Sequence, residues 1–252
     1  MKHFIILLII VPQSIFSQTN PKAKISQDEI MYYSYTDSSV KALKAKNYYK
    51  VIEMATIAIR LDSKNPFPYL LRGKAQNRIG QNELALIDYN SYIKIDPKDA
   101  DAYIERAEIE VELKLLANAF KDYSMAISLK KEAEDLWYYY YRRARFREDL
   151  LDWMGCIDDC NKSIENYNIN NDIVYEVRSR ANLEIGNFQE ALNDANKALQ
   201  IQPVQTSFWL YYTRGQAKIK LGNKESACTD FYKAKDLQPD YRLLRAIEQY
   251  CK

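Results

Sequence analysis

Few residues in this chain could do chemistry, and their positions limit what that chemistry can be. The one histidine is His3. The residues after it therefore cannot supply a Ser-His-Asp or Cys-His nucleophile system, or a His-containing zinc site. No glycine-rich phosphate loop occurs. Carboxylates are plentiful, with 34 Asp and Glu, so residue count alone leaves a paired-carboxylate hydrolase open. Cys156 and Cys160 stand four apart. On a helix they share one face, which suits small core residues better than a bond within the helix, and neither a histidine nor a third cysteine adjoins them. The chain therefore reads as a non-enzyme with no cofactor and no metal.

Hydrophobic residues make up 47% and charged residues 28% of the 252, with only six glycines and seven prolines. That composition suits a folded helical protein and disfavours a turn-rich β sandwich or barrel. Lys and Arg (36) nearly balance Asp and Glu (34), so no overall field favours nucleic acid or an acidic membrane. Twenty-one tyrosines supply rings that bury apolar area while the hydroxyl stays hydrated.

Lys2, the apolar run Phe4 to Val11, Pro12 and the small Ser17 before Gln18 read as an export signal over residues 1–17. The run is too short to span a bilayer, which takes about 20 apolar residues. No later segment is apolar enough to span one either. The expected location is periplasmic or secreted, and residues 18–31 read as a polar lead-in.

Aligning Gly73-Lys74-Ala75 with Gly215-Gln216-Ala217 exposes a repeat of 34 residues, as from Gly73 to Ala107. The units are 32–65, 66–99, 100–133, 137–170, 172–205 and 208–241. The eighth position is small throughout: Ser39, Gly73, Ala107, Ala144, Ser179, Gly215. So is the twentieth, at Val51, Ala85, Ala119, Cys156, Ala191, Ala227. Small side chains there let two antiparallel helices approach closely. Gly80, Gly186 and Gly222 fall where a first helix must end in a left-handed residue. Pro97, Pro203 and Pro239 fall just past the second helix.

This pattern resembles the tetratricopeptide repeat family over residues 32–241. The sixth unit carries it best, in Tyr211-x-x-Arg214-Gly215, Leu221-Gly222-Asn223, Ala227, Phe231, Ala234 and Pro239. The resemblance implies an all-α, right-handed superhelical solenoid of about six helix-turn-helix units. Residues 242–252, with helical apolar spacing, are expected to cap its open end.

Arginine recurs at the seventh position as Arg72, Arg106, Arg143, Arg178 and Arg214. Aspartate recurs at the twenty-third as Asp88, Asp122, Asp159, Asp194 and Asp230. The first unit lacks both, having Ser38 and Met54. Joint presence and joint loss predict a bidentate bridge that sets the register of the two helices. Cys228 lies on the last second helix and Cys251 near the end of the capping helix. These helices should pack antiparallel, and export permits oxidation, so a Cys228–Cys251 disulfide is expected.

The resemblance further implies that first helices line a concave groove. Its candidate residues are Lys74, Asn77, Arg78, Glu108, Tyr138, Tyr141, Arg145, Arg180, Trp209 and Tyr212, a mixture of aromatics and arginines suited to a protein or peptide segment. Within the run Tyr138 to Tyr141, Tyr140 stands at the large-aromatic core position and Tyr141 faces the groove. The expected function is a protein-binding scaffold of the envelope or secreted space. The alternatives are a structural subunit joined through its ends or convex face, and a carbohydrate- or small-molecule-binding solenoid.

Overall fold

The computed structural model describes residues 26–131, 133–165, 171–201 and 207–252. The expected export signal and most of the lead-in lie outside the described residues. Among the described residues the regular structure is thirteen α-helices and no strand, an all-α helical repeat solenoid. The chain divides into two compact units, residues 1–81 and 82–252.

The first unit holds α1 (Gln27–Lys44), α2 (Tyr48–Leu61) and α3 (Phe67–Arg78). The Ser26 hydroxyl accepts a hydrogen bond from the Glu29 amide at 3.1 Å, and Asp28 and Glu29 suit the positive helix start. This cap starts α1 at Gln27, so the last residues of the lead-in are helical. Asn47 caps α2 through the Lys50 amide at 3.2 Å. Ala42, Val51, Ala55, Leu71 and Ala75 form the core where the three helices meet. Arg72 Nη1 donates to the Thr56 hydroxyl at 3.1 Å.

The second unit runs through α4 (Asn82–Ile95), α5 (Ala100–Glu112), α6 (Leu116–Leu129), α7 (Leu136–Asp149), α8 (Trp153–Glu165), α9 (Asp172–Glu184), α10 (Phe188–Ile201), α11 (Phe208–Lys220), α12 (Lys224–Leu237) and α13 (Tyr241–Tyr250). Each first helix packs on its own second helix: α5 on α6, α7 on α8, α9 on α10, α11 on α12. Each second helix then packs on the next first helix, and α7 meets α9, and α9 meets α11, directly. Small side chains make this possible. Ala107, Ala144 and Ser179 are completely buried at the helix crossings, opposite the equally buried Ala119, Cys156 and Ala191. At Gly215 even one carbon is too much, since a Cβ would lie 2.5 Å from Phe231 Cε1.

The turn inside each repeat needs a left-handed residue. Gly186 and Gly222 provide it at φ 83° and 82°, while Lys114 and Leu151 adopt it at 61° and 59°, where a Cβ makes the backbone strained.

The register bridges lie inside the helix pairs. Arg106 Nε and Nη2 donate to Asp122 at 2.6 and 2.8 Å. Arg143 holds Asp159 at 2.9 and 2.7 Å, Arg178 holds Asp194 at 2.9 and 2.6 Å, and Arg214 holds Asp230 at 2.8 and 2.5 Å. A further donor reaches the aspartate in three of these repeats: Arg147 to Asp159 at 3.2 Å, Asn182 to Asp194 at 3.2 Å, and Lys218 to Asp230 at 2.7 Å. In the third repeat that position is Glu110, a buried acid facing Asp122 and Arg106.

In the α7 tyrosine run the core ring is Tyr139, not Tyr140. Tyr139 is completely buried, and its hydroxyl donates to Asp101 of α5 at 2.6 Å. Tyr140 is partly exposed with the Arg143 guanidinium 5.9 Å from its ring. The reason is helix phase: Tyr139 points at the preceding repeat, where burying a ring gains most. Cys156 and Cys160 carry free thiols and pack with Ala144, Val174, Val177 and Ala181. At the other end α13 buries Leu243 and Ala246 against α12, and a disulfide joins Cys228 to Cys251. No described helix is long and apolar enough to cross a membrane.

Candidate functional site

The first helices α7, α9 and α11 present one side chain every three or four residues along a shared face, because positions separated by about one turn point the same way. On α7 that row is Tyr138, Tyr141, Arg145 and Glu148; on α9 it continues as Glu176 and Arg180; on α11 it is Trp209 and Tyr212.

An ionic ladder crosses this face. Arg180 grips Glu148 of the preceding repeat through Nε at 2.7 Å and Nη2 at 3.1 Å. Its Nη1 donates to Glu176 at 2.6 Å. Ser207 at the start of α11 donates to the same Glu176 oxygen at 3.1 Å, and Arg145 Nε stands 3.2 Å from Glu148. Burial alone would lower the Arg180 pKa, but the hydrogen bond and charge of Glu148, with Glu176 beside it, raise it, so the guanidinium stays charged. Arg180 thereby ties α7 to α9, and Ser207 links Glu176 to the start of α11.

Aromatic rings lie on both sides of the ladder. Tyr141 packs against the core beneath α7 and has Arg145, Arg180 and Glu176 around its hydroxyl; burial pushes its pKa up, partly offset by the arginines. Tyr138 accepts a hydrogen bond from Arg142 Nη1 at 2.5 Å, and burial first, then Glu105 and Asp101, push its pKa up to about 12. Arg142 also pairs with Glu108 of α5. On α11, Trp209 meets Tyr212 edge to face with ring centres 5.9 Å apart. The Arg242 guanidinium of α13 lies 4.2 Å from the Trp209 ring centre and is held by Asp240 at 3.2 Å.

Seven of the sequence-read groove residues, Glu108, Tyr138, Tyr141, Arg145, Arg180, Trp209 and Tyr212, thus lie on first helices of the second unit. Tyr141, Arg145 and Arg180 are brought directly together. Lys74, Asn77 and Arg78 follow one another along α3 in the first unit, with Arg78 exposed. Arg180 and Glu108 are already committed to partners within the chain. Arg145, with 47% of its side chain exposed, is the most exposed charge of the row on α7 and α9. Arg242 escaped sequence reading because it lies in the capping segment. Its signal was the Asp240-x-Arg242 spacing beside a helix start.

The face offers flat rings, hydrogen-bonding hydroxyls and a fixed row of charges. Such surfaces grip a peptide backbone and its side chains, with aromatics and arginines at the contact centre.

Residues 210–241 match the tetratricopeptide repeat family model. Among solved structures the chain is similar to YrrB, a TPR protein with an unusual peptide-binding site, at 22% identity and a TM-score of 0.60 over 77% of this chain and 96% of that one. It is also similar to pilF of Pseudomonas aeruginosa, at 12% identity and a TM-score of 0.73 over 89% and 99% of the two chains. PilW, a widely conserved type IV pilus biogenesis factor, aligns at 13% identity and a TM-score of 0.70 over 86% and 97%.

Proposed function

We propose that this tetratricopeptide-repeat chain is a non-catalytic scaffold that holds a protein segment along the face of its first helices, in the cell envelope or outside the cell. The observation that carries the reading is the cluster of Tyr141, Arg145 and Arg180, where an exposed cation sits beside a ring fixed by packing. A partner meeting preordered groups loses little further freedom on binding. The peptide-binding site of the similar YrrB supports a peptide as the class of ligand. The short positive start and apolar run ahead of Ser17 support export, and the Cys228–Cys251 disulfide suits an oxidising compartment.

Affinity purification of the tagged protein from its native envelope fraction tests this reading. A stoichiometric partner should be captured and should be lost on replacing Tyr141 and Arg145 by alanine. A partner that survives both changes places the interface elsewhere, and the groove reading fails.

A further inference from the structure

The turn edge of the third and fourth repeats differs from that of the fifth and sixth. Those later turns read Gly186-Asn187 and Gly222-Asn223, with glycine in the left-handed conformation. In the third and fourth repeats Lys114 and Leu151 hold the left-handed position, and Leu151 leaves 66% of its surface exposed. Leu115 then takes the N-cap of α6 with no side-chain cap hydrogen bond, where Asn223 caps α12 through the Ser226 amide at 3.2 Å. Each choice works against the isolated fold: a strained backbone, a forgone cap and leucines left in water.

These leucines belong to one apolar ridge. Leu116 and Phe120 are exposed one turn apart on α6, and Met154 is 67% exposed on the first turn of α8. Arg147 joins the two helices. Its guanidinium lies 5.4 Å from the Phe120 ring centre, and its Nη1 donates to the Gly155 carbonyl at 2.7 Å. Exposed charges of opposite sign mark the ridge ends, Lys114 and Lys121 in the third repeat, Asp149 and Asp152 in the fourth, the last also standing 3.6 Å from Arg147.

We propose that this ridge is a two-fold contact between two copies of the chain. A two-fold axis turns the ridge end for end, lays apolar side chains on apolar side chains, and sets the lysines of one copy against the aspartates of the other. The charge pattern is complementary to itself, which is why a second copy fits the surface.

Sedimentation equilibrium of the disulfide-bonded protein across a dilution series tests the contact. The expected result is a dimer that dissociates on dilution. Combining Leu151→Gly with Met154→Glu removes the ridge centre while glycine relieves the left-handed backbone, so the variant should melt no lower than the parent and dimerise at least about tenfold more weakly. Lys121→Glu should also weaken the dimer, and adding Asp149→Lys should restore it. A parent chain that stays monomeric at every concentration overturns the proposal, as does a dimer whose affinity ignores Leu151→Gly with Met154→Glu.

Discussion

Arg180 and Glu148, on first helices of neighbouring repeats, face each other through two parallel hydrogen bonds, Nε to Oε1 at 2.7 Å and Nη2 to Oε2 at 3.1 Å. Both side chains are mostly buried, so the pair is shielded from solvent screening. A double-mutant cycle with Arg180→Met and Glu148→Gln should report a coupling of about 1–3 kcal/mol in urea unfolding. Coupling below about 0.3 kcal/mol would mean that the ladder contributes nothing to holding the first helices together.

The register bridge of the fourth repeat is more deeply buried. The Asp159 side chain is 0% exposed and is reached by both Arg143 and Arg147. Asp159→Asn keeps the shape but leaves the buried Arg143 without its counter-charge, while Arg147 keeps only Asp152 at 3.6 Å, which should cost about 3–5 kcal/mol. Replacing the pair by apolar residues of similar volume should cost much less, and chemical denaturation of the two variants measures the difference.

Glu110 makes stability depend on pH. Burial first, then the Asp122 carboxylate, raise its pKa from 4.5 to about 7 against the opposing Arg106. The folded state therefore holds the proton more tightly than the unfolded state. The stability this lends is complete below pH 4.5 and is lost as pH rises through 7. Glu110→Gln should leave stability unchanged at pH 4 and raise it by up to about 3 kcal/mol above pH 8, since one pKa unit corresponds to about 1.4 kcal/mol. Equal unfolding midpoints for the two proteins at pH 8 would sink this assignment.

Much of this architecture was legible in the sequence, and what was not has a physical pattern. The Arg–Asp bridges were readable because both partners recur at fixed offsets inside one repeat and vanish together in Ser38 and Met54. The Arg180–Glu148 pair was not, because it joins different repeats across an irregular insertion. Arg180 and Glu108 therefore looked like free groove charges. Tyr139 was misread in favour of Tyr140 because four successive tyrosines leave the helix phase to tertiary contact, here the Asp101 carboxylate. The start of α1 at Gln27 depended on the cap at Ser26, which lies before the repeat register begins.

The disulfide should set the stability of the terminal helix. α13 spans only ten residues, too short to persist alone in water, and the bond closes a separation of 23 residues. Replacing Cys228 and Cys251 by serine should cost about 3 kcal/mol. Amide exchange in α13 should quicken while α7 and α9 stay protected. Unchanged protection of α13 would show that packing by Leu243 and Ala246 suffices.

Amide hydrogen exchange with and without a captured partner reads the binding face without intermediaries. The partner should slow exchange in the first helices α7, α9 and α11. Tyr141→Ala with Arg145→Ala should weaken the complex by roughly 30-fold or more, about 2 kcal/mol. Protection confined to the second helices α8, α10 and α12, with affinity unmoved by those substitutions, would contradict binding at this face.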